Sequence, residues 1–371
     1  MVEWKKLGDL GTFIRGTGIQ KSDFVDDGYP CIHYGQIHTK YGISTEKTIS
    51  FISEELYKKS KKAVKGDVVL ATTSEDAEGV AKPVAWLGDN DVAISGDAFI
   101  FHHNQNGKYL AHVFASHRFN LFKVKHVSGT KVVRITGDSM AKFEFPLPPL
   151  SEQKRIVGIL DTFTESIENL KKQISERKKQ YEYYRDQLLD LEGKPGVEMK
   201  TLGEVCEVIT GGEVPENTIK GQQEPSNSHP FAVYTNGKET YGYTDTYQID
   251  SDAVCISSIG ANTGAVFYKK GKFTPAIRLK VLIPYQNVDT KFLYYSAMGI
   301  DFKGRNTGSV PNINANYVKS RTIILLPLAE QQRIVTILDT FEASIANLEQ
   351  QLTHRQKQYE YYRNMLLTFD E

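Results

Sequence analysis

Cysteine is scarce: Cys31, Cys206 and Cys255 are the only three in 371 residues. An odd, scattered set excludes a disulfide framework and points to a reducing compartment, the cytoplasm. No apolar run is long enough to span a bilayer, and the opening Met1-Val-Glu-Trp-Lys-Lys-Leu-Gly does not read as a signal peptide. An excess of either charge is also missing, since 45 Lys and Arg balance 45 Asp and Glu. Residues 1–150 carry a net +2, residues 151–193 a net −1, residues 194–328 a net +2 and residues 329–371 a net −3. A lone nucleic-acid binder usually has a strong basic excess. Either this chain does not bind DNA, or a partner supplies much of the phosphate contact.

Catalytic motifs are lacking too. The stretch Gly16-Thr-Gly-Ile-Gln-Lys-Ser fails as a phosphate loop because Gln20, not glycine, precedes Lys21. There is no dinucleotide fingerprint and no Asn-Pro-Pro-Tyr motif for amino-methyl transfer. His102, His103, His112 and His117 cluster in sequence, but none sits in a metal-binding frame, and Cys31 with His33 reads as a packed pair on one strand face.

What the chain has is a repeat. Residues 147–192 return from Leu326 onward at a constant offset of 178, pairing Arg155 with Arg333, Asp161 with Asp339 and Tyr181 with Tyr359. Residues 159–163 are identical to 337–341, and residues 180–185 to 358–363. Within the repeat, apolar or long-stemmed residues fall at Ile156, Leu160, Phe163, Ile167, Leu170, Ile174, Arg177, Tyr181, Tyr184, Leu188 and Leu191. Spacing that alternates four and three is the seam of a coiled coil. The second copy keeps the register from Ile334 to Phe369. Ser151 is placed to cap the first helix, and Gly193 with Pro195 to stop it. Two helices of about 40 residues, roughly 60 Å each, are therefore predicted to pair with one another.

The remaining sequence repeats more loosely. Residues 2–10 return as 197–205, and both globular segments consist of short β-type runs broken by Gly, Asn and Asp, with helical pieces predicted at 53–62, 108–116 and 291–298. The reading is α+β: two related globular domains at 1–146 and 194–325, with long helices at 147–193 and 326–371. Polar loops rich in Asn, Gln, Arg, Lys, Ser and Thr recur in both domains. These residue types read base edges and grip phosphates, although Gly, Asn and Ser are common in turns anyway. The candidates are Tyr34, Gln36, Ser74, Thr130, Lys131 and Arg134 in the first domain. In the second they are Asn236, Lys238, Asn262, Arg305, Asn306, Thr307, Ser309 and Asn312. Arginine can hold guanine bidentately and asparagine adenine, each worth about 1–3 kcal/mol of discrimination, whereas Lys131 could equally grip a phosphate.

The run Leu-Pro-Pro-Leu-Ser-Glu-Gln-Lys-Arg-Ile-Val-x-Ile-Leu-Asp opening a long helix closely resembles the specificity subunits of type I restriction–modification systems. So does the order of domain, helix, domain, helix, and so do the domain starts at 4–10 and 199–205. The resemblance covers the whole chain in organisation and is weak inside the domains. It implies a non-catalytic subunit without a cofactor of its own, which binds double-stranded DNA. It also implies two modification subunits carrying S-adenosylmethionine, which methylate adenine, and restriction subunits using ATP and Mg. No membrane is involved.

Antiparallel pairing suits domains whose termini lie close together, because no linker is long enough for a parallel crossover. Two unlike domains would then read a bipartite, asymmetric site whose spacer the helices set, in the manner of dimers on palindromes. The face carrying Glu152, Gln153 and Arg155, with Glu330, Gln331 and Arg333, is expected to help dock two copies of one partner. Capping and local ion pairing would explain the same residues. The competing reading is a coiled-coil scaffold whose end domains bind proteins or other ligands.

Overall fold

The computed structural model describes residues 2–191, 193, 196–303 and 312–369. The chain divides into two compact units, Met1–Lys171 with Gln350–Glu371, and Lys172–Glu349. Each consists of one mixed α/β domain and a stretch of both long helices.

The first domain opens and closes on one strand pair. Strand Glu3–Lys6 runs antiparallel to Glu144–Leu147, with Glu3 opposite Leu147 and Lys6 opposite Glu144. Chain entry and exit are thus adjacent, and the exit leads straight into the long helix. Between them lie two five-stranded sheets. One runs in the order Gly11–Arg15, Ala98–His103, Val68–Ala71, Lys82–Trp86, Ser44–Thr45. The other runs Phe24–Val25, Ser50–Ile52, Tyr29–Ile32, Val92–Ile94, Lys62–Ala63.

The strand Val68–Ala71 shows why an unbroken apolar run is needed there. All four residues are buried, so the strand is covered on both faces. The two-residue period sends Val68 and Leu70 into a core with Tyr109, Leu110 and Phe114 of helix Gly107–Phe114. It sends Val69 and Ala71 against Ile32, Val92 and Ile94 of the other sheet. The helix-side core also holds an aromatic chain, with Phe101 4.4 Å from Phe13, Phe114 5.0 Å from Phe119, and Phe119 4.9 Å from Phe143.

The second domain follows the same plan. Strand Glu198–Thr201 pairs antiparallel with Thr322–Leu325. One sheet runs Cys206–Thr210, Lys280–Pro284, Ala253–Ile256, Val266–Lys269; the other runs Ile219–Lys220, Thr240–Thr244, Phe231–Tyr234, Lys272–Pro275, Ile249–Asp250. Ala253–Ile256 is again buried throughout. Val254 and Ile256 face helix Thr290–Met298, and Ala253 and Cys255 face the other sheet.

The long helices span Leu150–Leu189 and Leu328–Leu366. They pair antiparallel within each unit. In the first unit the Phe163 ring stacks on Tyr362 at 5.2 Å under the Arg355 guanidinium. In the second, Phe341 stacks on Tyr184 at 5.4 Å under Arg177, and Lys178 pairs with Glu349 at 2.7 Å. These are the same residue types, 178 positions apart. The seam is deepest beneath each domain, where Ile156, Leu160, Ile334 and Leu338 are fully buried. It is only half-covered at Phe163, Leu170, Phe341 and Leu348.

Several expectations need correction. Ser151 does not cap the first helix, which already begins at Leu150. Pro149 O accepts from the Glu152 and Gln153 amides at 2.9 and 3.0 Å, as Pro327 O does for Glu330 and Gln331. The three predicted helical pieces are Glu54–Lys59, Gly107–Phe114 and Thr290–Met298, capped by Ser53, Asn106 and Asp289. The segment 34–39, read as loop, is a helix capped by His33 Nδ1, which accepts from Gly35 N at 3.2 Å. Helix His117–Val124 was not anticipated either.

Candidate nucleic-acid interface

Three loop groups meet at one end of the first domain. Helix Tyr34–Thr39 follows strand Tyr29–Ile32 and is fastened by Tyr34 N donating to Ser95 Oγ at 2.9 Å. It is also held by Gln36 Nε2 donating to Ser50 Oγ at 2.5 Å. The loop after Val68–Ala71 carries Ser74, and Thr73–Ser74 pairs antiparallel with Val133–Arg134. That second strand closes a turn whose Gly129 has φ +102° and no room for a Cβ, which would lie 2.1 Å from Val132 O. His38 Nε2 and Thr73 O, 2.9 Å apart, join the helix to the loop. Thr130, Lys131 and Arg134 stand exposed, Tyr34 and Ser74 are half-buried, and Gln36 is committed to internal bonds.

Lys123 anchors this loop from inside. Its ammonium donates to Glu78 O and Val80 O at 2.5 and 2.8 Å, and burial lowers its pKa to about 8 despite nearby Glu78 and Asp76.

The second domain builds its equivalent around Asn236, which follows the matching strand Phe231–Tyr234. Asn236 Oδ1 accepts from Ser258 N at 2.7 Å, its Nδ2 donates to Ile277 O at 2.5 Å, and its carbonyl accepts from Asn262 Nδ2 at 3.3 Å. Asn236 thereby ties together the loop after Ala253–Ile256 and the turn before Lys280–Pro284. A bridge between Ile259 and Asn312 adds a fourth segment. Lys238 is exposed, while its carbonyl accepts from buried Lys269 at 2.5 Å. Asn262 and Asn312 are exposed. Arg305, Asn306, Thr307 and Ser309 lie outside the described residues.

The turn at 276–279 escaped the sequence reading. Ile277 and Arg278 have φ of +52° and +62°, a left-handed conformation that costs a side-chain-bearing residue about 1–2 kcal/mol. No sequence signal marks it, because glycine would be expected at such positions.

The helix-start motif divides in two. Arg155 holds Glu152 with two bonds of 2.8 and 2.6 Å, and Arg333 holds Glu330 similarly. Arg155 keeps the Glu152 carboxyl below its usual range. These four residues face water at least in part. Gln153 and Gln331 are instead fully buried, which corrects their expected place on a docking surface. Gln153 Oε1 accepts from Asn106 N at 3.0 Å and its Nε2 donates to Pro148 O at 2.9 Å. Gln331 repeats this with Asp289 N at 2.8 Å and Leu326 O at 2.7 Å. Each glutamine clamps the capping residue of its domain helix to the long helix. Lys108–Asp161 at 2.5 Å and Lys291–Asp339 at 2.6 Å reinforce the clamp. The signal was present: both glutamines sit three residues before Ile156 and Ile334, on the same stripe.

Among the described residues, no cluster of His, Cys, Asp or Glu could hold a metal, and no helix is long and apolar enough to cross a membrane.

The family model described as the type I restriction modification DNA specificity domain matches residues 1–177 and 195–355. The specificity subunit of the EcoR124I/EcoR124II type I restriction enzyme of Escherichia coli is 35% identical over 266 residues, covering 63% of this chain and 65% of that one. The putative type I specificity subunit S.MpnORF89P of Mycoplasma pneumoniae is 29% identical over 264 residues, covering 66% of this chain and 78% of that one. Aligned stretches thus span about two thirds to three quarters of these relatives. The fold matches the type I restriction-modification S subunit from M. genitalium with a TM-score of 0.65 at 14% identity, covering 100% of this chain and 97% of that one. A chain from a structure concerned with complex assembly of a type I R-M system matches with a TM-score of 0.61 at 19% identity, covering 99% and 96%. With the family's domain matched twice and both matches joined by the duplicated long helix, this chain belongs to the type I restriction–modification specificity subunit family.

Proposed function

We propose that this chain is the DNA sequence-specificity subunit of a type I restriction–modification complex. Each globular domain reads one half of a bipartite, asymmetric site, and the helices set the spacer and dock two modification subunits that methylate adenine. The chain itself performs no catalysis. S-adenosylmethionine belongs to the modification subunits, and ATP with Mg to restriction subunits. The observation that carries the reading is the pair of matched loop ends. Two domains of one topology gather loops at equivalent strand ends, yet present different side chains there. Shared scaffolding with unlike contact residues is what two different half-sites require. The near-neutral charge leaves part of the phosphate contact to the partners. Glu152 with Arg155, and Glu330 with Arg333, form equivalent ion pairs suited to two copies of one partner.

Exchange tests the reading. Residues 194–325 replaced by those of a relative with a different target should change one half of the methylated motif and leave the other intact, as read by methylome sequencing. Change in both halves, or in neither, would reject one domain per half-site. A methylome that does not respond to this gene would favour the scaffold reading.

A further inference from the structure

We propose that the exposed pair Ile277–Arg278 is a base-reading element of the second domain, with Arg278 recognising a guanine; this rests on the function proposed above. The two side chains sit on a turn that has little freedom to move. Ile277 N donates to Gly212 O at 2.7 Å, and Arg278 N to Gly211 O at 3.1 Å. Their carbonyls are taken as well. Ile277 O accepts from Asn236 Nδ2 at 2.5 Å; Arg278 O accepts from Ser258 Oγ at 2.6 Å and from buried Lys280 Nζ at 2.9 Å. All backbone polar groups of the pair are therefore engaged, in a left-handed conformation that non-glycine residues adopt only when the surroundings enforce it. Gly211 permits the approach, since a Cβ there would lie 2.8 Å from the Pro275 carbonyl carbon.

None of these bonds uses the side chains. Ile277 is 39% exposed, and the Arg278 guanidinium is exposed with no carboxylate partner among the described residues. A fixed backbone presenting a free guanidinium beside an apolar side chain suits a base edge. Arginine can bond guanine O6 and N7 together, and an aliphatic neighbour can meet a thymine methyl. Asn236, which orders this turn, also orders the loop bearing Asn262, so the two present contacts as one rigid group. In the first domain the equivalent turn carries Gly96 and Asp97, neither with positive φ, and Asp97 faces Arg15 at 3.7 Å. The two domains therefore offer opposite charge at one structural position, as unlike half-sites demand.

The test is Arg278→Gly in the full chain assembled with modification subunits. Glycine suits the backbone at this position, so the fold is retained. Selection from a randomised duplex library should show guanine preference falling roughly 5- to 150-fold at one position of one half-site, with the other half-site unchanged. Uniform weakening of all duplexes, with the salt slope reduced by about one, would assign a phosphate contact and overturn the proposal. An unchanged preference would also overturn it. A wild-type complex without sequence preference would overturn the functional reading beneath it.

Discussion

At the scale of single residues, the chain spends buried polar groups on holding domain to helix. His112 is the sharpest case. It is fully buried, with Nδ1 3.2 Å from the Tyr359 hydroxyl. Burial, then Arg363 and Lys108, lower its pKa from 6.5 to about 3. The unfolded chain takes up this proton near pH 6.5 and the folded chain only near pH 3. Between those values the unfolded state binds more protons, so stability is held above pH 6.5 and lost as pH falls, by up to about 1.4 kcal/mol per pH unit. His112→Gln should flatten the fall in urea midpoint between about pH 6 and pH 4. An acid limb as steep as that of the wild type would show that other groups control it. The second domain has Tyr295 and Asp339 at the corresponding contact, 2.7 Å apart, and no histidine there.

Among elements, the long helices were the most legible, because forty residues of unbroken periodicity leave no other solution. Sequence spacing gives the stripe but not its depth. The same pattern is fully buried at Leu160 and Leu338 and half-covered at Leu170 and Leu348, because a domain covers the former. Leu160→Ala or Leu338→Ala should therefore cost about 2–5 kcal/mol, and Leu170→Ala or Leu348→Ala clearly less, as measured by chemical denaturation. Equal costs would mean that the seam alone, without the domains, sets helix stability. The loops were legible as positions, through turn residues at matched places in two repeats. Their internal order was not. Helix Tyr34–Thr39 depends on distant partners, Ser95 and Ser50, and nothing local announces it. The Ile277–Arg278 turn runs against local preference altogether, as a strained contact site does.

On the scale of the molecule, the sequence order of domains and helices hides how the units are composed. The first unit is discontinuous, since residues 350–371 complete a core begun by residues 1–171. Leu366, Leu367 and Phe369 pack with Ile156, Val157 and Leu160, and the Asn364 side chain accepts from His117 N at 3.0 Å. Deleting residues 350–371 should destabilise the first unit by on the order of 5 kcal/mol, with the thermal transition of the second little changed. Calorimetry would resolve this, and two unshifted transitions would refute it.

That discontinuity orders biosynthesis. The second unit is one unbroken stretch, Lys172–Glu349, and has all its parts once residue 349 has left the ribosome. The first begins earlier but lacks its final packing partners until more than three hundred residues have followed Val2, many seconds at roughly 5–20 residues per second. During that interval Ile156 and Leu160 remain uncovered on their seam face. Nascent chains are then open to pairing with another copy's helix, and a cell that makes this protein slowly prolongs that exposure.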